Sequence, residues 1–326
     1  MDTIHFLLNQ QSVTEKHDPG IALLDVIRGN RHLTGCKEGC REGDCGACLV
    51  LIGKNQNGRL IYRPATACLV PLAAVAGHHV VTIEGLSAAH PNPIQRALIE
   101  QGGIQCGFCT PGIVMALTAF FMNGTSSDAD AAIDAVAGNL CRCTGYAGIK
   151  RAIRQLCEQF DLAQSALESR LQDCLQWQLL PPYFADIAAK LATLPAVASG
   201  LEGKTLIAGG TDWMVHHDKS TTQPKLQFLP VATDQDGIRV DGQRCRIAAS
   251  TTIDQLRTSP VLQGLLPGIA EDLKLMCSAP IRQWATIGGN LANASPIADL
   301  AVFFLALDAT LTLEKQGQSR SLPLRD

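Results

Sequence analysis

The sequence predicts an α+β protein of several domains, and three observations carry that expectation. At 326 residues the chain is longer than one ordinary hydrophobic core organises. It opens with short strand-like runs, passes into longer apolar runs at helical spacing, and returns to strand-like segments punctuated by glycine pairs. Eight of its 13 cysteines fall in two sets of different spacing before residue 150.

Hydrophobic residues make up 46% of the chain and charged residues 17%, the balance of a soluble globular protein. The net charge of −3 supplies no general attraction to nucleic acid or to an acidic membrane, so neither partner is expected. Met1-Asp2-Thr3-Ile4-His5 leads into a strand-like run with no basic start, and no leader is read there. The longest apolar run, residues 113–122, falls well short of the roughly 18 residues that read as a membrane span. Thirteen cysteines without an export signal argue against a disulfide scaffold and for a reducing, cytoplasmic setting that leaves thiols available to metals.

Ile4-His5-Phe6-Leu7-Leu8 and Val13-Thr14 read as strands around a turn, and Leu23-Leu24-Asp25-Val26-Ile27 as the apolar face of a short helix. Then comes Gly39-Cys40-Arg41-Glu42-Gly43-Asp44-Cys45-Gly46-Ala47-Cys48, a strand at Leu49-Val50-Leu51-Ile52, and Cys68 on a second strand. Cys40-x4-Cys45-x2-Cys48 with a distant fourth cysteine is the plant-type ferredoxin spacing. Glycines suit such a loop, because backbone N–H groups must wrap closely around sulfur with unusual dihedrals. Structural zinc and a thioredoxin-like pair at Cys45 and Cys48 are the competing readings. Zinc usually takes two short-spaced ligand pairs, and a redox pair leaves Cys40 and Cys68 unused. Cys36 reads as a small buried or loop thiol, with replacement of a ligand as the alternative.

The second set begins in Ile104-Gln105-Cys106-Gly107-Phe108-Cys109-Thr110-Pro111-Gly112, just before the apolar run. Thr110 is expected as a helix N-cap and Pro111 as the first helical residue. Cys106 and Cys109 then lie at a helix start, where the dipole favours thiolates. A further helix over residues 131–136 is expected to end near Gly138-Asn139. Cys141-Arg142-Cys143-Thr144-Gly145-Tyr146 forms the next turn and residues 149–160 another helix, so the segment reads as a helical bundle around a metal site. By spacing alone this set is less specific than the first, and zinc stays open. Two adjacent one-electron centres imply electron transfer.

Motif density drops over residues 161–180, read as a connector that Pro181-Pro182 ends. In the next unit Thr205-Leu206-Ile207-Ala208 reads as a strand and Gly209-Gly210-Thr211-Asp212 as its turn. Later, Trp284-Ala285-Thr286-Ile287 leads into Gly288-Gly289-Asn290-Leu291-Ala292-Asn293. Such turns let consecutive N–H groups converge on a pyrophosphate, although each alone reads better as a tight turn between core strands. Neither fits G-x-G-x-x-G, so a Rossmann site is not supported. The eight histidines form no H-E-x-x-H, no G-x-S-x-G is present, and no catalytic acid, base or nucleophile is expected.

Gly43-Asp44-Cys45-Gly46-Ala47-Cys48, Gln105-Cys106-Gly107-Phe108-Cys109-Thr110-Pro111-Gly112 and Cys141-Arg142-Cys143-Thr144-Gly145-Tyr146 together resemble the molybdenum hydroxylases. The likeness covers essentially the whole chain and is nearest to the iron–sulfur and flavin subunits of the xanthine dehydrogenase type. It implies a β-grasp 2Fe–2S ferredoxin domain at 1–78 and a four-helix 2Fe–2S domain at 79–160. A connector at 161–180 and a partial FAD-binding domain of the vanillyl-alcohol-oxidase type at 181–326 complete it. The resemblance implies cluster ligation by Cys40, Cys45, Cys48 and Cys68, and by Cys106, Cys109, Cys141 and Cys143. It leaves Cys36, Cys157, Cys174, Cys245 and Cys277 as structural thiols. It implies FAD contacts at Leu206, Ile207, Ala208, Gly209, Gly210, Thr211, Asp212 and Trp213, at Thr286, Ile287, Gly288, Gly289 and Asn290, and at Asn293 and Asp299. It further implies a hetero-oligomer with a large molybdopterin-bearing subunit that hydroxylates a purine with water. Electrons then pass through two 2Fe–2S clusters to FAD and on to NAD+. Relatives continue beyond Asp326 with a third flavin subdomain, so either a fragment or a short subunit is expected.

Overall fold

Strands β1 (Asp2–Leu8) and β2 (Gln11–His17) pair antiparallel, as do β3 (Leu49–Gln56) and β4 (Arg59–Thr66). Strand β5 (His79–Val81) enters between these hairpins, parallel to β1 and antiparallel to β3, and the order becomes β2-β1-β5-β3-β4. That is the β-grasp sheet of the expectation. This computed structural model describes residues 2–56, 58–87, 90–195, 204–216, 225–229, 231–232, 237–315 and 317–326.

Strand alternation gives the sheet two buried faces. Val50 and Ile52 join Phe6 and Val80 in the core beneath α1 (Leu23–Asp25), which widens into a π-helical turn over Val26–Asn30. Leu49, Leu51 and Val81 face the other way, into a helical layer. That layer contains α2 (Ile83–Leu86), α3 (Pro93–Glu100), α4 (Thr110–Asn123), α5 (Ala129–Ala135) and α6 (Ala147–Gln159). Helix α3 starts at an Asn92–Gln95 capping box, whereas α4 is apolar all round because it packs on β3, β4 and the neighbouring helices at once. Residues 161–180, expected as a connector, pack into the same core through Leu162, Cys174, Leu179 and Leu180. Arg170, at the start of α7 (Arg170–Gln176), is buried there and donates to the carbonyls of Phe121, Gly124, Leu162 and Ser165.

His79 is fully buried where the sheet meets this layer. Its Nε2 bonds the Asn9 carbonyl at 2.8 Å, which can only accept, so Nδ1 takes the Tyr62 hydroxyl proton at 2.7 Å. Tyr183 and Phe184 pack around the pair edge-on. Burial pushes the His79 pKa down to about 4.

After α8 (Ile187–Ala192), β6 (Thr205–Ile207) runs into α9 (Thr211–His216) and pairs parallel with β7 (Leu226–Phe228). Strands β8 (Ile238–Asp241) and β9 (Arg244–Ile247) form a hairpin. Helices α10 (Ile253–Thr258), α11 (Pro260–Leu265), α12 (Ile269–Lys274) and α13 (Ala279–Arg282) follow, then α14 (Ile287–Asn293), α15 (Asp299–Ala306) and the hairpin of β10 (Thr310–Lys315) and β11 (Gln318–Pro323). Ile253, Leu256, Leu273, Ile287 and Leu300 form a core of their own. Before the second glycine pair Thr286 makes a single bridge with Thr252, and the glycines open α14 instead of forming a turn between strands. No helix among the described residues is long and apolar enough to cross a membrane.

Candidate functional site

The loop between α1 and β3 brings Cys40 and Cys45 together as hydrogen-bonded thiols. Cys48, at the start of β3, lies with its sulfur 3.5 Å from that of Cys68, on the 3-10 turn Ala67–Leu69 that follows β4. Cys68 also feels the charge of Cys40, so the two pairs face one another. Backbone N–H groups of Glu42, Asp44 and Cys45 point at the Cys40 sulfur, the first at 3.3 Å. Burial pushes the Cys40 pKa up, but these bonds outweigh it and hold the thiol below its ordinary range. The Cys68 thiol holds Cys48 low as well, while Cys68 itself is driven far up by that bond and by burial. Cys36 is buried and donates instead to the Cys48 carbonyl at 3.2 Å, outside the set.

The second set repeats the arrangement on helix ends. Cys109 immediately precedes α4 and hydrogen-bonds Cys141, while Cys106 and Cys143 lie 3.5 Å apart. Burial, then Cys141, pushes Cys109 up to about 12; the Phe108 N–H, then Cys143, holds Cys106 low. Tyr146 fixes the loop by accepting the Cys141 N–H at 2.8 Å, from a left-handed conformation just before α6. The N-cap is Cys109 rather than the expected Thr110. Thr110 is already helical, and its hydroxyl is buried without a partner. Cys48 and Cys68 are buried, whereas Cys106 and Cys143 are exposed.

In both sets the sulfurs pair two and two, Cys40 with Cys45 and Cys48 with Cys68, Cys106 with Cys143 and Cys109 with Cys141. Two thiolates for each of two sulfide-bridged irons is the donor pattern of a 2Fe–2S centre.

The two loops are in direct contact. Leu140 N–H donates to the Cys45 carbonyl at 3.0 Å, and Asn139 Nδ2 to the Gly46 carbonyl at 3.0 Å. Gly46 has φ +65°, and a Cβ there would lie 2.4 Å from the Gly138 carbonyl oxygen. One at Gly112 would lie 2.1 Å from the Gly46 oxygen. Both glycines thus permit two backbones to touch. Asn139 carries no motif, so only the tertiary structure reveals its part.

The flavin-side turns also meet. Asn293 Nδ2 donates to Asp212 at 3.2 Å, and both Asp299 and Asp212 act on the Cys277 thiol. A Cβ on Gly209 would lie 1.9 Å from the Trp284 carbonyl oxygen, so this glycine is required by packing between the turns. In the second turn the N–H groups bond inward: Ile287 to Thr251, Gly288 to Ala249, Gly289 to the Thr286 hydroxyl and Asn290 to the Thr286 carbonyl. They do not form the open row expected of a pyrophosphate turn. Asn290 Oδ1 is buried without a partner, while Leu206, Asp212, Gly289, Asn293 and Asp299 are exposed. Ala208, Gly210, Thr211 and Trp213 are half-buried, and Ile207 and Ile287 point into the core. The Trp284 indole donates to the Pro64 carbonyl at 2.9 Å and ties this half to β4.

Three family profiles match the chain in succession. They are a 2Fe-2S iron-sulfur cluster binding domain over 6–72, a [2Fe-2S] binding domain over 82–154, and an FAD binding domain in molybdopterin dehydrogenase over 184–326. Aldehyde oxidase 1 of Macaca fascicularis is 41% identical over 98% of the chain, and a xanthine dehydrogenase/oxidase of Felis catus 30% identical over 98%. The chain spans 29% and 28% of those proteins. A chain of quinoline 2-oxidoreductase from Pseudomonas putida 86 matches 52% of this chain and 96% of its own length, at 30% identity and a TM-score of 0.43. With two iron–sulfur domains and a flavin domain in this order, the chain belongs to the molybdenum hydroxylase family, of which it carries the iron–sulfur and FAD electron-transfer part.

Proposed function

We propose that this chain carries electrons for a xanthine dehydrogenase-type enzyme, whose molybdopterin-bearing subunit oxidises hypoxanthine or xanthine and whose final acceptor is NAD+. Cys40 and Cys45 with Cys48 and Cys68 hold one 2Fe–2S cluster, and Cys106 and Cys143 with Cys109 and Cys141 the other. Leu206, Ala208, Gly209, Gly210, Thr211, Asp212 and Trp213, with Gly288, Gly289, Asn290, Asn293 and Asp299, would bind FAD through side chains and the outer face of the turns, while Ile207, Thr286 and Ile287 sit in the core and hold those turns in place. When bound, the clusters supply one-electron steps and the flavin converts them to the two-electron step that NAD+ needs. The chain's residues fix the thiol pairs, aim N–H dipoles at sulfur and bury Cys48 and Cys68 of the first set. The observation that carries this reading is the Leu140 N–H bond to the Cys45 carbonyl, which joins one thiol loop to the residue preceding Cys141 in the other.

The exposed second set lies beside exposed Phe108 and Leu140, at 46% and 58%. That apolar, thiol-bearing face is where the molybdopterin subunit docks in a hetero-oligomer. A second reading, an aldehyde-oxidising partner, is favoured by the 41% identity to an aldehyde oxidase.

The test is purification under anaerobic conditions, metal analysis, and purine and aldehyde oxidation with dye or NAD+ as acceptor. The chain is expected red-brown and inactive alone, and active once the molybdopterin subunit is added. A colourless zinc protein, or purine oxidation by the chain alone, ends the proposal.

A further inference from the structure

We propose that Ser278, a residue of the flavin half, raises the reduction potential of the iron–sulfur centre held by Cys40, Cys45, Cys48 and Cys68 by polarising the Gly43–Asp44 peptide. The inference rests on the ligand reading given above. Ser278 is the N-cap residue of α13, yet its hydroxyl makes no capping bond. It reaches across to the first thiol loop and donates to the Gly43 carbonyl at 3.1 Å. The other end of that same peptide unit is the Asp44 N–H, which points at the Cys40 sulfur. The groups connect in series, from O–H to O=C, through the peptide to N–H, and on to sulfur.

A peptide whose carbonyl accepts a hydrogen bond becomes a stronger donor at its N–H. Reduction adds one electron, and so one negative charge, to the sulfur-bearing centre. An N–H dipole aimed at sulfur therefore favours the reduced form and raises the potential. Glu42 and Cys45 supply the other N–H bonds to Cys40, so Ser278 strengthens one of three and its effect is modest.

The serine is deliberately aimed. Cys277, just before it, has φ 38°, a left-handed value that non-glycine residues rarely adopt. The buried Arg282 guanidinium pins the turn through Nη1 bonds to the carbonyls of Lys274, Met276 and Cys277 at 3.0, 2.8 and 2.6 Å. Ile281 seats the turn on the loop, since a Cβ on Gly43 would lie 2.6 Å from its Cδ1.

The test is an EPR-monitored redox titration of the anaerobically purified, iron-loaded chain. At a fixed ambient potential, Ser278→Ala should lower the reduced-to-oxidised ratio of the first centre about threefold, where tenfold would be 59 mV. Ser278→Thr keeps the hydroxyl and should restore the ratio, and the second centre should not move. Lys274→Ala breaks the ion pair with Asp134 on the same segment without touching Gly43, and should leave the first centre unchanged. An unshifted first centre in Ser278→Ala overturns the inference. So does a shift of both centres together, or the same shift in Lys274→Ala, because loosened docking would then explain it. Iron content and visible spectra come first: lack of the first centre in the unmutated chain overturns the ligand assignment and this inference with it, whereas a present but unshifted centre overturns the inference alone.

Discussion

The two thiol sets solve one problem on opposite supports. The first is built on strand ends and a loop, with Cys48 and Cys68 buried under the sheet; the second sits at helix ends, with Cys106 and Cys143 open to solvent. Both arrive at the same two-and-two pairing of sulfurs. The local sulfur chemistry is thus indifferent to secondary structure, and burial is what differs. Two thiols of the first set lie buried against the sheet and two are half-buried, whereas two of the second set open to solvent.

The sharpest way to break this comparison is to remove one thiol from each set. Cys45→Ser and Cys106→Ser should each lose half of the iron and one of two EPR signals, leaving the other signal intact. Loss of both signals from either variant would mean that the sets share a site. In the unmutated protein a chelator should bleach the exposed second centre several-fold faster than the first, because access controls thiolate exchange.

The contact between the sets comes next. Gly46→Ala forces a side chain into a left-handed position and onto the Gly138 carbonyl, at a cost of about 1–3 kcal/mol. Its thermal midpoint should fall and the magnetic coupling between the centres should weaken. Full coupling in a destabilised Gly46→Ala would show that the loops meet without needing this glycine.

Acid should separate the sheet from the helical layer's own chemistry. His79 is neutral in the fold down to about pH 4 but titrates near 6.5 when unfolded, so the unfolded chain binds the extra proton between those values. Stability is therefore full above 6.5 and is lost as pH falls to about 4, by about 3 kcal/mol in all at 1.36 kcal/mol per unit. Denaturant melts across that window should show the slope, and His79→Gln should flatten it; an unchanged slope would place the acid sensitivity elsewhere. The smallest effect is expected from Cys36→Ser, which keeps a donor for the Cys48 carbonyl. Iron content should not change and stability should fall by about 1 kcal/mol.

Spacing picked out the eight thiols that the fold brings together in pairs, and short apolar runs made β1 and β3 legible, because both signals are local. Errors came where one local signal had two outcomes. Thr110-Pro111 reads as a cap and a first helical residue, yet the helix starts one residue earlier to bring Cys109 towards Cys141. Gly288-Gly289 reads as a strand turn, yet Thr286 captures the Gly289 N–H and starts a helix. Asn139 on Gly46, Ser278 on Gly43 and Trp284 on Pro64 were not readable at all. Each joins segments 93 to 235 positions apart and leaves no periodicity behind.

Strand β5 lies in the middle of the five-stranded sheet although it is last in sequence. During synthesis the β1–β2 and β3–β4 hairpins emerge as two unattached pieces, each marginal by itself. All four thiols of the first set leave the ribosome before His79–Val81 can join those pieces. There is thus an interval in which the cysteines are out but their scaffold is not, when a metal carrier can reach thiols that the finished sheet encloses. Stalled nascent chains ending before and after Val81 would show it: alkylation of Cys48 and Cys68 should be rapid in the shorter chain and suppressed in the longer.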